Sequence, residues 1–335
     1  MVDRQTRETQ KELRAIIRQK RRRRRALLLR IFVIFLLAYM GYYVYAFASF
    51  SQEVQNPKII PHRSSDPVID QPKQDIPILG GSERVNILLM GVDRRALRPN
   101  EIPRSDSMML VSIDPASKTF TYYSILRDTY IKIPGYGKSR INAAVADGGP
   151  ELAMDTVSRF TGLPVSYYVL TDFEGFKGLV DAVGGVDMDV EKRMVYHDPT
   201  DEGKYDIDLQ KGPQHLDGDK ALQYVRFRHD ATSDYTRTER QRKLLRALTQ
   251  QLKSGSTILQ MPHILQAVEP YVQTNLTSTD MVKLAALGLT LNSNSEGYQL
   301  PQAGAFHESN HGGSVLIPSV EDVQQYIQDT LKKNP

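Results

Sequence analysis

The 335-residue chain contains no cysteine. Disulfide bonds, thiol catalysis and cysteine-based zinc sites are therefore excluded. A domain of this size can bury enough apolar surface to fold without such crosslinks. The sequence also lacks a P-loop, a G-x-S-x-G nucleophile elbow and an EF-hand pattern, so the common signatures of nucleotide, serine-hydrolase and calcium sites are missing.

One metal-site motif is present, at His307-Glu308-Ser309-Asn310-His311, which matches H-E-x-x-H. Zinc proteases carry this motif on a helix, so that both histidines share one face. Here Gly304 precedes the motif and Gly312-Gly313 follows it, a composition that indicates a loop. We expect no zinc site at these residues.

Excess positive charge is confined to the start of the chain. Residues 1–30 carry a net charge of +9, whereas residues 31–335 carry 31 basic and 36 acidic side chains, a net charge of −5. A mildly acidic globular part argues against a nucleic-acid-binding surface, so no nucleic-acid partner is expected.

Residues 31–50 form a run without a charged side chain. At 1.5 Å per residue a helix of this length spans about 30 Å, the thickness of a bilayer core. The basic run from Arg21 to Arg25 favours a cytoplasmic tail over residues 1–30 and places the rest of the chain outside. The alternative is a cleaved signal peptide, but the apolar run is long for one. We expect a single-pass protein of the cell membrane.

Residues 51–82 contain five prolines among polar residues, which predicts an extracytoplasmic spacer and not a core. Strand-length apolar runs alternate with helical patterns from residue 83 to about 255. Residues 256–335 add helices and a short strand, which we expect to pack on the same domain. The predicted fold is α/β: a three-layer α-β-α sandwich with a central mixed sheet, preceded by one transmembrane helix.

Three charged residues lie at predicted strand ends. Asp93 ends the first strand, Asp106 opens the second, and Arg127 ends the third. If the three strands form a meander, these residues meet at one edge of the sheet. Paired carboxylates suit Mg²⁺ or Mn²⁺, especially where phosphate oxygens complete the coordination shell. The alternative is that such residues are simply common at strand ends.

Two further pairs of residues suit an anion. Arg226 and Arg228 are two apart, so in an extended segment they point to the same side. Arg237 and Gln241 are four apart and share one face of a helix that Thr236 is predicted to cap. The free N–H groups at that helix start add affinity for anions.

Together these side chains can surround a diphosphate, because guanidinium groups grip phosphate through paired hydrogen bonds. The set comprises Arg127, Arg226, Arg228, Arg237 and Gln241. The alternative is an exposed basic face that pairs with local acids such as Asp230, Asp234 and Glu239. The residue pattern alone leaves both open.

Several motifs occur in a fixed order: NILLMGVD at 86–93, RSDS at 104–107, SILRD at 124–128, RINA at 140–143 and YVRFR at 224–228. Over about residues 83–253 the chain thereby resembles the LytR-CpsA-Psr family of cell-wall glycopolymer transferases. The short basic tail and single span fit this resemblance. The chain departs from the family pattern at Arg140, where relatives usually have lysine, and at Val145, where they usually have tyrosine.

The resemblance implies a polyprenyl-pyrophosphate ligand with its lipid in a tunnel between sheet and helices. Asp93 and Asp106 match the family's metal-site aspartates, with Mg²⁺ (or Mn²⁺) as the cofactor. The pyrophosphate-binding residues it implies are Arg104, Arg127, Arg226, Arg228, Arg237 and Gln241. The catalytic residues would be Asp93, Arg127, Arg226 and Arg228.

The expected function is metal-assisted, phosphoryl-linked transfer of an anionic glycopolymer, a teichoic acid or a capsule-like polysaccharide. The donor is the polyprenyl-pyrophosphate carrier and the acceptor is peptidoglycan, with the lipid bilayer as a further partner. One alternative is a lipid pyrophosphate hydrolase that uses water as acceptor. Another is a non-catalytic, membrane-bound regulator of envelope genes.

Overall fold

The computed structural model describes residues 2–56, 59–60, 83–94, 101–197, 203, 206–228, 233–291 and 296–333. The chain divides into two compact units, Met1–Ala48 and Ser49–Pro335.

The first helix, α1, runs over Val2–Glu53. Its segment Lys20–Glu53 is long and apolar enough to cross a membrane, by length and composition. The predicted span at residues 31–50 lies within that segment.

The strands are β1 (Val85–Val92), β2 (Ser105–Asp114), β3 (Thr119–Ile125), β4 (Tyr130–Ile133), β5 (Gly137–Arg140), β6 (Tyr167–Asp172), β7 (Val186–Val190), β8 (Met194–Tyr196), β9 (Ile207–Leu209), β10 (Gly212–Leu216), β11 (Val272–Thr274), β12 (Glu296–Leu300), β13 (Phe306–Asn310) and β14 (Ser314–Pro318). The further helices are α2 (Ala143–Thr161), α3 (Phe173–Ala182), α4 (Gly218–Arg226), α5 (Ser233–Leu252), α6 (Gly255–Leu259), α7 (Met261–Val268), α8 (Ser278–Thr290) and α9 (Val320–Lys333).

The central sheet has the strand order β11-β6-β1-β2-β3-β12. Strands β1, β2 and β3 form the predicted antiparallel meander. Strand β6 pairs with β1 in parallel, and β12 pairs with β3 in parallel. Strand β11 pairs antiparallel with β6 at the edge. The predicted mixed sheet is therefore confirmed.

Alternating residues of β1 face opposite layers of helices, as side chains of a strand must. Leu88 and Met90 pack in a cluster with residues of α2 and α9. Ile87 and Leu89 pack in a second cluster that contains Leu245 of α5 and residues of α8. These two helical layers confirm the predicted α-β-α sandwich. A third cluster packs α3, α4 and the β7–β10 pair against α5.

Part of the predicted spacer belongs to the core. Ile59 and Ile60 are buried in the same cluster as α2 and α9. The backbone of Ile60 is held by the Gln273 side chain, with its N–H donating to Oε1 at 3.0 Å and its carbonyl accepting from Nε2 at 3.3 Å. The spacer prediction, which covered residues 51–82, is wrong at these two residues and at Val54, because all three apolar side chains are buried. Residues 61–82 lie outside the described residues.

Two local predictions near the arginines are also wrong. Helix α4 continues to Arg226, so residues 224–226 are helical and not extended. Its N-cap is Asp217, whose carboxylate accepts from the Lys220 N–H at 2.9 Å. Helix α5 begins at Ser233, which places Arg237 one turn inside it and not at its first turn. The described part of residues 256–335 also contains four strands where one was predicted, and β11 and β12 join the central sheet.

Candidate active site

A cavity of about 640 Å³ lies between the central sheet and helices α3, α4 and α5. Its polar end is lined by Asp93, Asp106, Arg127, Asp172, Arg226, Arg228, Arg237 and Gln241. Its apolar body is lined by Leu89, Met109, Val169, Phe173, Phe176, Leu179, Leu222, Val225, Leu244, Leu245 and Leu248.

The polar and the apolar lining residues occupy different ends of the strands and the helix that form the cavity wall. On β1 the lining passes from Leu89 to Asp93, and on β6 it passes from Val169 to Asp172. Helix α5 contributes first Arg237 and Gln241, then three leucines further along. The polar residues therefore gather where the parallel strands end and α5 begins.

A β-bulge places Asp106 in the cavity. Gly91 pairs with Ser107 and Val92 pairs with Ser105, so Asp106 is an extra residue on β2 without a register partner on β1. In a regular strand Asp106 and Ser107 would point to opposite faces of the sheet. Because the bulge interrupts this alternation, both residues line the cavity.

Asp106 links two of the predicted arginines. Its Oδ1 accepts from Arg127 Nη1 at 2.5 Å and lies 3.9 Å from Arg228 Nη2. Arg127 follows β3 and Arg228 follows α4, so one carboxylate oxygen draws together guanidinium groups from distant parts of the chain. This arrangement orients the donor atoms before a ligand arrives.

Arg226, Arg237 and Gln241 also reach the polar end of the cavity. The Arg226 guanidinium lies over the Phe173 ring at 5.3 Å from its centroid, a cation–π contact. Arg237 is only 4% exposed, and it lines the cavity from α5. Gln241 Oε1 accepts from Ser107 Oγ at 3.2 Å, which ties α5 to β2.

Asp172 is a cavity residue that the sequence analysis missed. It ends β6 and caps α3, because its Oδ1 accepts from the Gly175 N–H at 2.9 Å. Its Oδ2 lies 3.5 Å from Arg94 Nη1. An aspartate between an apolar strand and a helix is a recognisable cap, and that pattern was the available signal.

A charged cluster around the buried Arg240 was also missed. Arg240 Nε donates to Glu191 Oε1 at 2.6 Å, and Arg240 Nη1 donates to the Phe227 carbonyl at 2.9 Å. The Tyr224 hydroxyl donates to Glu191 Oε2 at 3.1 Å. Phe227 lies between Arg226 and Arg228, so Arg240 fixes the segment that carries both arginines.

The environment changes the acidity of two members of this cluster. Burial alone raises the pKa of Glu191, but hydrogen bonds from Arg240 and Tyr224 and the Arg240 charge leave the pKa below its usual value. Burial, together with the adjacent Glu191 charge, raises the pKa of Tyr224. Glu191 is therefore a carboxylate and Tyr224 a phenol near neutral pH.

Arg104 does not lie with the other predicted residues. Its side chain is exposed and is absent from the cavity lining. Burial raises the pKa of Asp147 above its usual value, and the nearby positive charge of Arg104 only partly offsets this rise. A role for Arg104 toward pyrophosphate stays a prediction.

The predicted metal ligands Asp93 and Asp106 line the same cavity from adjacent strands. Within the described ranges no group of three or more His, Asp or Glu side chains is placed to hold a metal. Two carboxylates still suit Mg²⁺, which commonly takes the rest of its ligands from phosphate and water. The residues present therefore fit a divalent ion that binds together with a phosphate-bearing ligand.

Residues of the H-E-x-x-H motif lie on strand β13 and not on a helix.

The arrangement suits one kind of ligand. Four arginines and three aspartates face the polar end, and large apolar side chains surround the rest of the cavity. Arginines bind phosphate oxygens directly, whereas the apolar body excludes water from a hydrocarbon chain. A ligand that fills both parts carries a compact polyanion on a long apolar tail.

Comparison with known proteins identifies the family and the relatives to which this chain is similar. The LytR_cpsA_psr family model matches residues 44–333. Polyisoprenyl-teichoic acid--peptidoglycan teichoic acid transferase TagU of Bacillus cereus is 38% identical over 227 residues, which are 67% of this chain and 70% of TagU. Regulatory protein MsrR of Staphylococcus aureus is 30% identical over 256 residues, which are 75% of each chain.

A solved structure of Bacillus subtilis TagT bound to LI-WTA has a TM-score of 0.61 and 28% identity, over 81% of this chain and 97% of TagT. Sequence and fold therefore agree with the cavity's chemistry, and the chain belongs to the LytR_cpsA_psr family.

Proposed function

We propose that this protein transfers an anionic glycopolymer of the teichoic acid class from a polyprenyl-pyrophosphate carrier to peptidoglycan. The observation that carries the proposal is the single cavity that joins an arginine-rich polar end to an apolar body. The pyrophosphate occupies the polar end and the polyprenyl chain occupies the body. The activity named for TagU and the LI-WTA ligand of TagT support this assignment.

The reaction is a displacement at the phosphorus nearest the glycan. A hydroxyl oxygen of peptidoglycan attacks that phosphorus, and the bond from phosphorus to the bridging oxygen breaks. Polyprenyl phosphate leaves with the bridging oxygen, and the glycan becomes joined to peptidoglycan through a phosphodiester. Asp93 accepts the proton of the attacking hydroxyl, and Arg127, Arg226, Arg228 and Arg237 stabilise the charge on the phosphate oxygens.

Asp93 and Asp106 would hold Mg²⁺ or Mn²⁺ next to the phosphates. The ion would supply positive charge where the two phosphates crowd negative oxygens together. Asp106 already orients Arg127 at 2.5 Å, so the same carboxylate serves the metal and the arginine.

The segment Lys20–Glu53 anchors the protein as a single-pass membrane helix. The basic residues before the apolar run keep the N-terminus in the cytoplasm. The cavity then lies on the side of the membrane where peptidoglycan is found.

The test is transfer by the full-length chain with Arg226→Ala and Arg237→Ala. Each change removes one phosphate-binding group and is expected to lower the transfer rate by about 100- to 1000-fold. Lys243→Ala is the matched control, because Lys243 is a half-exposed cation on the same helix that pairs with Glu239 at 2.9 Å. Wild-type rates in both arginine variants would refute the proposal. Assays with and without peptidoglycan separate transfer from hydrolysis, because a hydrolase releases glycan phosphate in both.

A second candidate is a regulator of envelope genes, which the match to Regulatory protein MsrR favours. Deletion of residues 1–20 and the Asp93→Ala substitution separate the two functions. A regulator that acts through its basic tail loses its effect on gene expression only in the deletion. A transferase loses polymer attachment in the Asp93 variant.

A further inference from the structure

Helix α8 carries apolar side chains on both its inner and its outer face. Met281, Leu284 and Leu287 pack in the cluster on the sheet face that also contains Leu245 of α5. On the outward face, Val282 is 55% exposed and Leu289 is 69% exposed. Exposed apolar side chains that are grouped on one face mark a surface that contacts a partner or lipid.

A segment that follows α5 also exposes an apolar side chain. Leu259, at the end of α6, is 65% exposed. Lys253, just before α6, donates from Nζ to the Leu291 carbonyl at the end of α8 at 2.8 Å. Single exposed apolar residues are ordinary, but a grouped set marks an interaction surface. Val282, Ala285 and Leu289 are exposed and share one face of α8, and we call these three residues the α8 patch.

The residues just before α8 contact the residues just after α1. The Thr274 N–H donates to the Val54 carbonyl at 2.9 Å, and Gln55 Nε2 donates to the Leu276 carbonyl at 3.2 Å. Val54 follows the last residue of the apolar run by four residues, about 6 Å of helix. If residues 31–50 cross the bilayer, chain connectivity keeps the segment before Ser278 close to the place where the chain leaves it.

The polar end of the cavity lies at the other end of β6. Asn275 Oδ1 accepts from the Tyr168 N–H at 3.0 Å, and Asn275 Nδ2 donates to the Ser166 carbonyl at 2.8 Å. These contacts are at the beginning of β6, whereas Asp172 ends it. Six residues of strand separate the two levels by about 20 Å. The apolar body thus extends from the polar end toward the level where α8 begins.

We propose that the α8 patch lies against the outer surface of the bilayer and brings the apolar body of the cavity to the lipid that supplies the donor. This deepens the proposed function, on which the role in lipid delivery rests. Leu89, Val169 and Leu245 line the cavity and pack in one cluster with the inner face of α8. Lys283, beside Val282, adds attraction to anionic headgroups.

The contact is tested on the full-length chain in nanodiscs of phosphatidylethanolamine and phosphatidylglycerol, with one chain per disc. The protein has no cysteine, so Val282→Cys and Leu289→Cys each give a single site for an environment-sensitive fluorophore. Tyr136→Cys is the control, at a residue 46% exposed in the turn between β4 and β5. We expect doxyl-labelled lipid to quench the fluorophore at 282 and 289 and to leave it unquenched at 136.

Equal quenching at all three sites, or none at 282 and 289, overturns the proposal. Quenching that is absent with one chain per disc and appears only when a disc holds several chains indicates contact with a second copy. That result also overturns the proposal. Circular dichroism melting curves that match the parent show that each labelled chain is folded.

A second arm tests delivery of the lipid. The double substitution Val282→Glu and Leu289→Glu is expected to slow transfer from a long-chain donor in the vesicle by roughly tenfold. Transfer from a water-soluble, short-chain donor should be unchanged, because neither residue lines the cavity. Equal rates with both donors would refute the delivery role. If the parent chain transferred nothing, the proposed function would fail while the quenching result still decided the membrane contact.

Discussion

Arg237 and Arg240 lie three residues apart on helix α5, and both are almost fully buried, at 4% and 2% exposed. Their surroundings differ. Arg237 lines the polar end of the cavity, where the ligand is expected. Arg240 lies outside the cavity lining and contacts Glu191 at 2.6 Å and the Phe227 carbonyl at 2.9 Å.

The comparison shows that a buried arginine is not by itself a sign of a binding site. What Arg240 faces is a carboxylate and a carbonyl of the protein, so its charge serves the fold. What Arg237 faces is a cavity that also holds three other arginines, so its charge serves a polyanion. The cluster around Arg240 supports the cavity indirectly, by fixing the segment between Arg226 and Arg228.

The largest expected effect is on stability, from Arg240→Met. The change removes the hydrogen bonds that Arg240 donates to Glu191, whose side chain is 37% exposed, and to the Phe227 carbonyl, so unfolding free energy should fall by about 3 kcal/mol. Arg237→Met should lower it by less, because Arg237 lines the cavity and lies outside the Glu191 cluster. Urea unfolding of the full-length chains in detergent measures both.

A double substitution sharpens this result. If Arg240 acts through Glu191, Glu191→Gln should cost little more once Arg240→Met is present, and the two changes should be non-additive. Equal destabilisation by Arg237→Met and Arg240→Met would break the comparison.

The next effect is on activity, from Arg237→Lys. Lysine keeps the charge but loses the planar fork that binds two phosphate oxygens. Transfer should fall about 100-fold, equivalent to about 2.7 kcal/mol of transition-state stabilisation, with an unchanged melting curve. The control is Arg240→Lys, which should lower stability while transfer per folded molecule falls much less. A loss of transfer that only follows the loss of folded protein would contradict the assignment of Arg237.

The sequence predicted where the charged residues at the strand ends lie, but it did not predict the cluster formed by Glu191 and Arg240. Asp93, Asp106 and Arg127 follow from apolar runs and their ends, because a meander brings such ends together. The bulge that directs Asp106 into the cavity has no comparable sequence signal. Glu191 and Arg240 are 49 residues apart and belong to separate elements, so only the packing of α5 reveals the pair.

The segment around Arg226 shows why local patterns mislead. Alternating apolar and basic residues at 224–228 indicate a strand, yet the Asp217 cap and the packing of Leu222 and Val225 continue α4 to Arg226. An extended segment was expected to put Arg226 and Arg228 on the same side, but residues 224–226 are helical. Both residues line the cavity because the helix ends between them.

A smaller effect is expected from Tyr224→Phe. The change removes the hydrogen bond from the phenol to Glu191 Oε2 at 3.1 Å and keeps the buried ring. A hydrogen bond to a charged group contributes about 1.5–3 kcal/mol, and the partly exposed carboxylate should put the loss at the lower end. Tyr136→Phe is the control, on an exposed tyrosine in the turn between β4 and β5. A loss equal to that of Arg240→Met would mean that the phenol, and not the guanidinium, holds the cluster together.

The smallest effect is a pH dependence that belongs to the Arg240 cluster and not to Arg237. Because the folded-state pKa of Glu191 is lowered, its contribution to stability is fully present above the unfolded pKa of about 4.3 and is lost as pH falls through the folded value. The difference in unfolding free energy between the parent and Glu191→Gln should therefore be constant near neutral pH and shrink below about pH 4.3. The corresponding difference for Arg237→Met should stay flat over that window, since an arginine does not titrate there. A difference for Glu191→Gln that grew as pH fell would mean that Glu191 is bound more tightly as the neutral acid, which the short contact to Arg240 opposes.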